Sequence, residues 1–216
     1  MSKIPRAYTY NDIANKSFNV FPFTGIWGEH QGKPERAGSI LIYGDSGHGK
    51  TTYALQLLKY ICRFEKAFYN SVEEGMRDSF KTNLKINGLK SVSHLYTFQS
   101  EFYDTTYQRL DRKRQPKIVF IDSAQYFFRG KTELDYFKLI QKFSNTLFIW
   151  ISHIQGNAPK GSIADAIKWD AQNIIRVEDF KAYTEKSRCG GSEITPYIIS
   201  QEKADERELK LVKTQS

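Results

Sequence analysis

The residues best suited to chemistry form one compact block. Gly44, Asp45, Ser46, Gly47, His48, Gly49, Lys50, Thr51 and Thr52 carry the spacing glycine, four residues, glycine, lysine, threonine. Glycines at the fixed positions let backbone N–H groups curl round phosphate oxygens. A helix starting just after them adds the favourable end of its dipole. In such a loop Lys50 reaches the β- and γ-phosphates of a bound nucleotide, and the Thr51 hydroxyl ligates Mg²⁺. His48 fills a variable position and is expected on the solvent side, not as a metal ligand. Two acidic groups complete the candidate site. The run 117–122 (KIVFID) delivers Asp122 to the edge of a sheet, expected next to the strand that carries the phosphate loop, where it would hold Mg²⁺ through water. The segment 66–74 (KAFYNSVEE) ends in Glu73 and Glu74, where a carboxylate can sit beside the γ-phosphate and orient water. Glu73 comes first after the strand and is the expected base, with Glu74 in support or in its place. The plainer readings are an ordinary strand-end aspartate and an acid favoured at a helix start.

These groups need strands to hold them and helices to cover the strands. Apolar runs at 39–43, 66–71, 93–98, 117–122 and 146–152 predict strands, and core-spaced apolar residues predict helices over 51–64, 75–86, 103–114 and 133–143. Late strands are expected at 173–177 and 194–199. Strands alternating with helices imply an α/β fold with a mainly parallel sheet covered on both faces, and ligands in such sheets sit beyond the carboxyl ends of the strands. Residues 1–37 are expected to be an irregular lead-in, 38–200 one nucleotide-binding domain, and 201–216 a charged tail.

Composition narrows the class. The chain has 216 residues, 40% of them hydrophobic, and a net charge of +8. That suits one globular domain and favours polyanionic partners, nucleic acid above all. Cys62 and Cys189 lack metal-like spacing and are expected to be free thiols. The N-terminus has no apolar signal segment, and no run approaches the roughly 18 apolar residues of a membrane span. A cytoplasmic location with no membrane partner is the expectation.

The order of these motifs resembles the RecA-like P-loop ATPases: recombinases, hexameric replicative helicases, RadA/Sms-type repair ATPases and circadian-clock ATPases. YGDSGHGKTT, YNSVEE, VFIDSAQ and IWISHIQGNAPKG carry the resemblance, with Lys186-Ser187-Arg188-Cys189-Gly190 similar to the Lys-x-Arg-x-Gly element of replicative helicases. A whole strand–helix unit between Glu73 and Asp122 argues against the small P-loop kinases. The resemblance covers roughly residues 38–200 and implies a three-layer α/β/α RecA-like fold. No primase-binding domain, zinc ribbon or protease-like domain accompanies it, so a compact member is expected.

The resemblance also implies roles. Gln125 and Ser152 or His153 become candidate γ-phosphate sensors at strand ends. Lys186 and Arg188 become candidate fingers acting on a neighbouring subunit's ATP, which implies a homo-oligomer, ring or filament. Two loops would face a central channel and touch DNA, single-stranded DNA in preference: one with Arg129 and Lys131, the other with Lys160. Trp27 and Trp169 have no assigned role, and either could border the adenine. The implied activity is hydrolysis of ATP with Mg²⁺ by a motor acting on DNA, helicase-like or recombination-mediator-like. The alternatives are an ATP-driven regulatory or assembly switch without nucleic acid, and a small-molecule P-loop kinase.

Overall fold

In a computed structural model, residues 6–215 are described, with side chains as far as Lys210. The first five residues of the lead-in and Ser216 of the tail lie outside the described residues. Every apolar run becomes a strand. β1 (Gly38–Gly44) leads into the phosphate loop and α3 (Lys50–Ile61), after α1 (Tyr10–Ala14) and α2 (Gly25–Gln31). β2 (Ala67–Ser71), α4 (Asp78–Ile86), β3 (Tyr96–Gln99) and α5 (Tyr103–Leu110) follow. Next come β4 (Ile118–Asp122), α6 (Ala124–Phe127), α7 (Glu133–Lys142), β5 (Leu147–Gln155) and the short β6 (Ala158–Pro159). The chain continues with α8 (Ser162–Asp170), β7 (Asn173–Glu178), β8 (Lys181–Ser187), β9 (Tyr197–Ile198) and α9 (Gln201–Gln215).

The strand order is β3-β2-β4-β5-β1-β7-β8-β9, with β6 paired to β5. β3 through β7 in this order are mutually parallel, and β8 and β9 are antiparallel additions. The central strands are apolar on both sides, so successive residues feed two separate cores. Ile40, Ile42, Ile118, Phe120, Ile149 and Ile151 pack with the α3 side chains Leu55 and Leu58. Leu41, Tyr43, Val119, Ile121, Phe148 and Trp150 pack on the other face with Tyr136, Leu139 and Ile167 of α7 and α8. This alternation is the three-layer α/β/α architecture expected from the sequence. No helix of the described residues is long and apolar enough to cross a membrane. Both thiols are free, Cys62 buried and Cys189 half-buried.

Four features differ from the reading of the sequence. First, the lead-in is not irregular throughout. Phe21, Phe23 and Trp27 are buried in the α3-side core, and α2 carries two buried polar side chains, His30 and Gln31, into it. Their polarity is absorbed by a network. His30 Nε2 pairs with Tyr53 Oη at 2.8 Å and Nδ1 with Thr184 Oγ1 at 3.2 Å, while Gln31 Nε2 donates to Tyr53 Oη at 2.7 Å. Asn173 Nδ2 donates to Gln31 Oε1, and Ser187 Oγ donates to Asn173 Oδ1, each at 2.8 Å. Lead-in, phosphate-loop helix and the β7–β8 hairpin are thus tied together.

Second, 181–187 forms β8, because a two-residue turn at Asp179 and Phe180, both with positive φ, folds the chain back on β7. Third, the charged tail is a helix, α9, anchored by the fully buried Ala204. Most of its exposed residues are charged, which hides the apolar anchor in a composition-based reading. Fourth, Asp122 is not on the strand next to β1. β5 lies between β1 and β4, because the α7 crossover inserts it there.

Candidate active site

The phosphate loop is held from both ends. Gly44 passes so close to β7 that a Cβ on it would lie 2.1 Å from the Val177 carbonyl oxygen. Gly49 has φ 101°, the left-handed region that favours glycine, and a Cβ there would meet the Phe180 ring at 2.9 Å. His48 is not a solvent-side residue, as the sequence suggested. Its Nδ1 accepts the Asp179 N–H at 3.0 Å and its carbonyl accepts the Phe180 N–H at 3.1 Å. The tight β7–β8 turn needs acceptors for those two N–H groups, and the loop histidine supplies both.

A cleft of about 420 Å³ opens above the loop, lined by Ser46, Gly47, Lys50, Thr51, Glu73 and Asp122 among others. Despite the strand between them, Thr51 and Asp122 meet: Thr51 Oγ1 donates to Asp122 Oδ2 at 3.2 Å. The first turn of α3 crosses the carboxyl end of the sheet, so reach replaces adjacency. Lys50 Nζ donates to the Asp45 carbonyl at 2.7 Å. Burial pushes the Lys50 ammonium below its ordinary pKa, opposed by the charges of Asp122, Glu73 and Asp45. Asp122 is pushed up to about 6 by burial, countered in part by the Tyr69 hydroxyl, which donates to it at 2.8 Å.

Glu73 follows β2 with its N–H on the Asp122 carbonyl at 3.1 Å. Its carboxylate lies 2.8 Å from His153 Nε2. That hydrogen bond, with the charges of His153 and Lys50, holds Glu73 below the usual carboxylate range against the cost of its partial burial.

A magnesium ion fits these donors. A threonine hydroxyl and a carboxylate are the hard oxygens it prefers. Beside Asp122, the buried Ser71 hydroxyl has no hydrogen-bond partner among the described residues, so polar capacity is left over at this point. Among the described residues no three His, Cys, Asp or Glu side chains gather as a protein-only metal site. An ion here would draw its other ligands from phosphate oxygens and water.

The remaining candidates separate. His153 lines the cleft, whereas Gln125 and Ser152 do not. Gln125 Nε2 donates to Ser152 Oγ at 2.7 Å and to the Lys160 carbonyl at 2.9 Å, and Gln125 Oε1 accepts the His153 N–H at 3.2 Å. Gln125 therefore links the residue at the cleft to the loop that carries Lys160. Lys131 is paired with Asp104, and Arg129 lies over the Tyr126 ring. Lys160 is exposed. Lys186 and Arg188 are remote from their own phosphate loop. Gly44 pairs with Val177, while Ser187 pairs with Asn173 at the start of β7, about 13 Å away at strand spacing. Lys186 lines a separate cavity of about 860 Å³ with Trp169, Tyr183 and Arg176. That cavity holds none of the phosphate-loop residues. Neither tryptophan reaches the cleft: Trp27 stacks on Tyr60 in the core, and Trp169 is exposed on α8.

Phe180, Arg77 and Lys203 also line the cleft and were missed from the sequence. For Arg77, three residues after the acidic pair, proximity was a usable signal. For Phe180 and Lys203 there was none, because a hairpin turn and a C-terminal helix bring them in.

No protein-family profile matches this chain, and no curated protein matches it. Solved structures do. A KaiC-like protein from the hyperthermophilic archaeon Pyrococcus horikoshii OT3 is similar with TM-score 0.62 and 16% identity, over 80% of this chain and 90% of that one. The flagellar accessory protein FlaH from Methanocaldococcus jannaschii is similar with TM-score 0.59 and 15% identity, over 84% of this chain and 97% of that one. At such identity the likeness speaks for fold alone, and the chain has the RecA-like three-layer α/β/α fold.

Proposed function

We propose that this chain hydrolyses ATP with Mg²⁺. The observation that carries the reading is the convergence of Lys50, Thr51, Glu73, Asp122 and His153 on one cleft. Lys50 and the loop N–H groups bind and orient the phosphates, with Thr51 and Asp122 holding the ion. The ion, when bound, neutralises charge developing on the β- and γ-oxygens. Glu73 positions the attacking water and takes its proton, and His153 fixes the Glu73 carboxylate. Positioning and charge neutralisation supply most of the lowering of the barrier, since phosphoryl transfer asks for little covalent chemistry from the protein.

The site as it stands in one chain has Lys186 and Arg188 elsewhere. We therefore propose a homo-oligomer, ring or filament, in which Arg188 completes a neighbour's site. Within that assembly the net charge of +8 and the exposed Lys160 loop support action on DNA, helicase-like or recombination-mediator-like. The loop's connection through Gln125 to His153 gives a route by which DNA would alter turnover. A second reading, an ATP-driven assembly or regulatory switch without nucleic acid, is supported by the KaiC-like and flagellar accessory neighbours and by the pairing of Lys131 with Asp104. ATPase rate with and without single-stranded DNA, alongside mass in solution, separates them. Stimulation by DNA with salt-dependent binding is expected of the motor. An oligomeric ATPase indifferent to DNA would leave the switch.

A further inference from the structure

The helix α9 reaches the phosphate loop. The chain entering it is pinned: Ile199 N–H donates to the Phe180 carbonyl at 2.8 Å, and Gln56 of α3 donates to the Ile199 carbonyl at 3.1 Å. Ser200 then caps the first turn, its carbonyl accepting the Ala204 N–H at 3.0 Å, and Ala204 is fully buried. Lys203 and Arg207 stand four residues apart and share a helix face. Arg207 Nη2 lies 3.4 Å from the Gly47 carbonyl, and its Nε lies 3.9 Å from Asp179. Farther along, Glu208 pairs with Lys181 at the start of β8. α9 is therefore docked on the loop and the β7–β8 turn together.

Among the described residues of this helix, Lys203 is the cation in the cleft lining. Among the described residues it has no carboxylate partner; its ammonium sits 5.0 Å over the Phe180 ring, the ring that packs on Gly49. Among the described residues the lining has three cations, Lys50, Arg77 and Lys203, against three carboxylates, Glu73, Glu74 and Asp122. Without Lys203 the carboxylates of the lining would outnumber its cations, and a nucleotide, still anionic with Mg²⁺ bound, would lose one compensating charge. An ammonium with no acidic partner, on a docked turn beside a phosphate loop, has a phosphate oxygen as its natural counter-charge.

We propose that Lys203 binds the phosphates of the nucleotide held by its own chain, so that α9 is part of the nucleotide site. This rests on reading the cleft as a nucleotide site. Nucleotide binding then tightens α9 against the loop, because both are held to the same anion.

The test measures MgADP affinity of the full chain, so that turnover does not intrude, for K203M, K203R and K50A. K203M keeps an apolar stem over Phe180 and removes the charge; K203R keeps the charge. The expected result is a loss of about tenfold or more in K203M, the scale of a charge-assisted contact. Affinity should be largely retained in K203R, and thermal stability without nucleotide unchanged in both. If K203M binds MgADP like the wild type while K50A is weakened, the Lys203 assignment fails and the site reading stands. Equal losses in K203M and K203R would also overturn it, since packing and not charge would then be at stake. If K50A itself binds like the wild type, the site reading fails and takes this proposal with it.

Discussion

His153 Nε2 and the Glu73 carboxylate lie 2.8 Å apart, joining β5 to the segment after β2 across the end of β4, which lies between those strands. The acid proposed to activate water is thereby held by a residue from the strand that also borders the phosphate loop, and the Glu73 backbone rests on Asp122. Glu73, Asp122 and His153 thus form one connected unit.

Glu73→Gln should bind ATP as the wild type does and hydrolyse it about 10²-fold more slowly or worse, the lower end for a positioned acid–base group. Single-turnover rates and nucleotide affinity check both halves. If Glu74→Gln were dead and Glu73→Gln active, the base would be Glu74.

His153→Ala should lower kcat by roughly tenfold, the scale of one hydrogen bond of about 1.4 kcal/mol felt in the transition state, with MgADP affinity unchanged. If it acts through Glu73, the double variant with Glu73→Gln should be no slower than Glu73→Gln alone, since groups acting as a unit are not additive. Multiplying losses would show an independent role.

His30 gives a pH dependence of stability. Burial lowers its pKa from 6.5 to about 4, so the unfolded chain binds more protons between those values. The contribution is complete above about 6.5 and is lost as pH falls toward about 4, a change of about 3 kcal/mol. Denaturant unfolding of the wild type and His30→Asn at neutral pH and near pH 4.5 checks it. The variant's stability should fall less steeply, and equal slopes would exclude His30 as the source.

Arg188→Ala should bind ATP normally and hydrolyse it poorly, since an arginine supplied in trans is worth about 10³–10⁵ in rate in well-studied phosphoryl-transfer systems. Mixing Arg188→Ala with Lys50→Ala subunits should restore part of the activity, as some intact phosphate loops gain an intact neighbouring Arg188. Hybrid oligomers as inactive as either parent would show that Arg188 does not act in trans.

Much of this molecule is legible in its residue order. Fixed glycines before Lys50 and Thr51, and apolar runs such as 117–122, specify a phosphate loop on a doubly covered sheet, because loop geometry and strand burial are local demands on local residues. The late elements were hidden for the opposite reason. β8 depends on a two-residue turn whose N–H groups are satisfied by His48, far away in sequence, and α9 depends on one buried alanine amid charged residues. The polar pair His30 and Gln31 reads as surface until Tyr53, Asn173 and Thr184 surround it. Only the tertiary structure decides that β5 separates β1 from β4, that Glu73 meets His153, and that Phe180 and Lys203 wall the cleft, since each relationship joins segments whose separation no spacing rule spans.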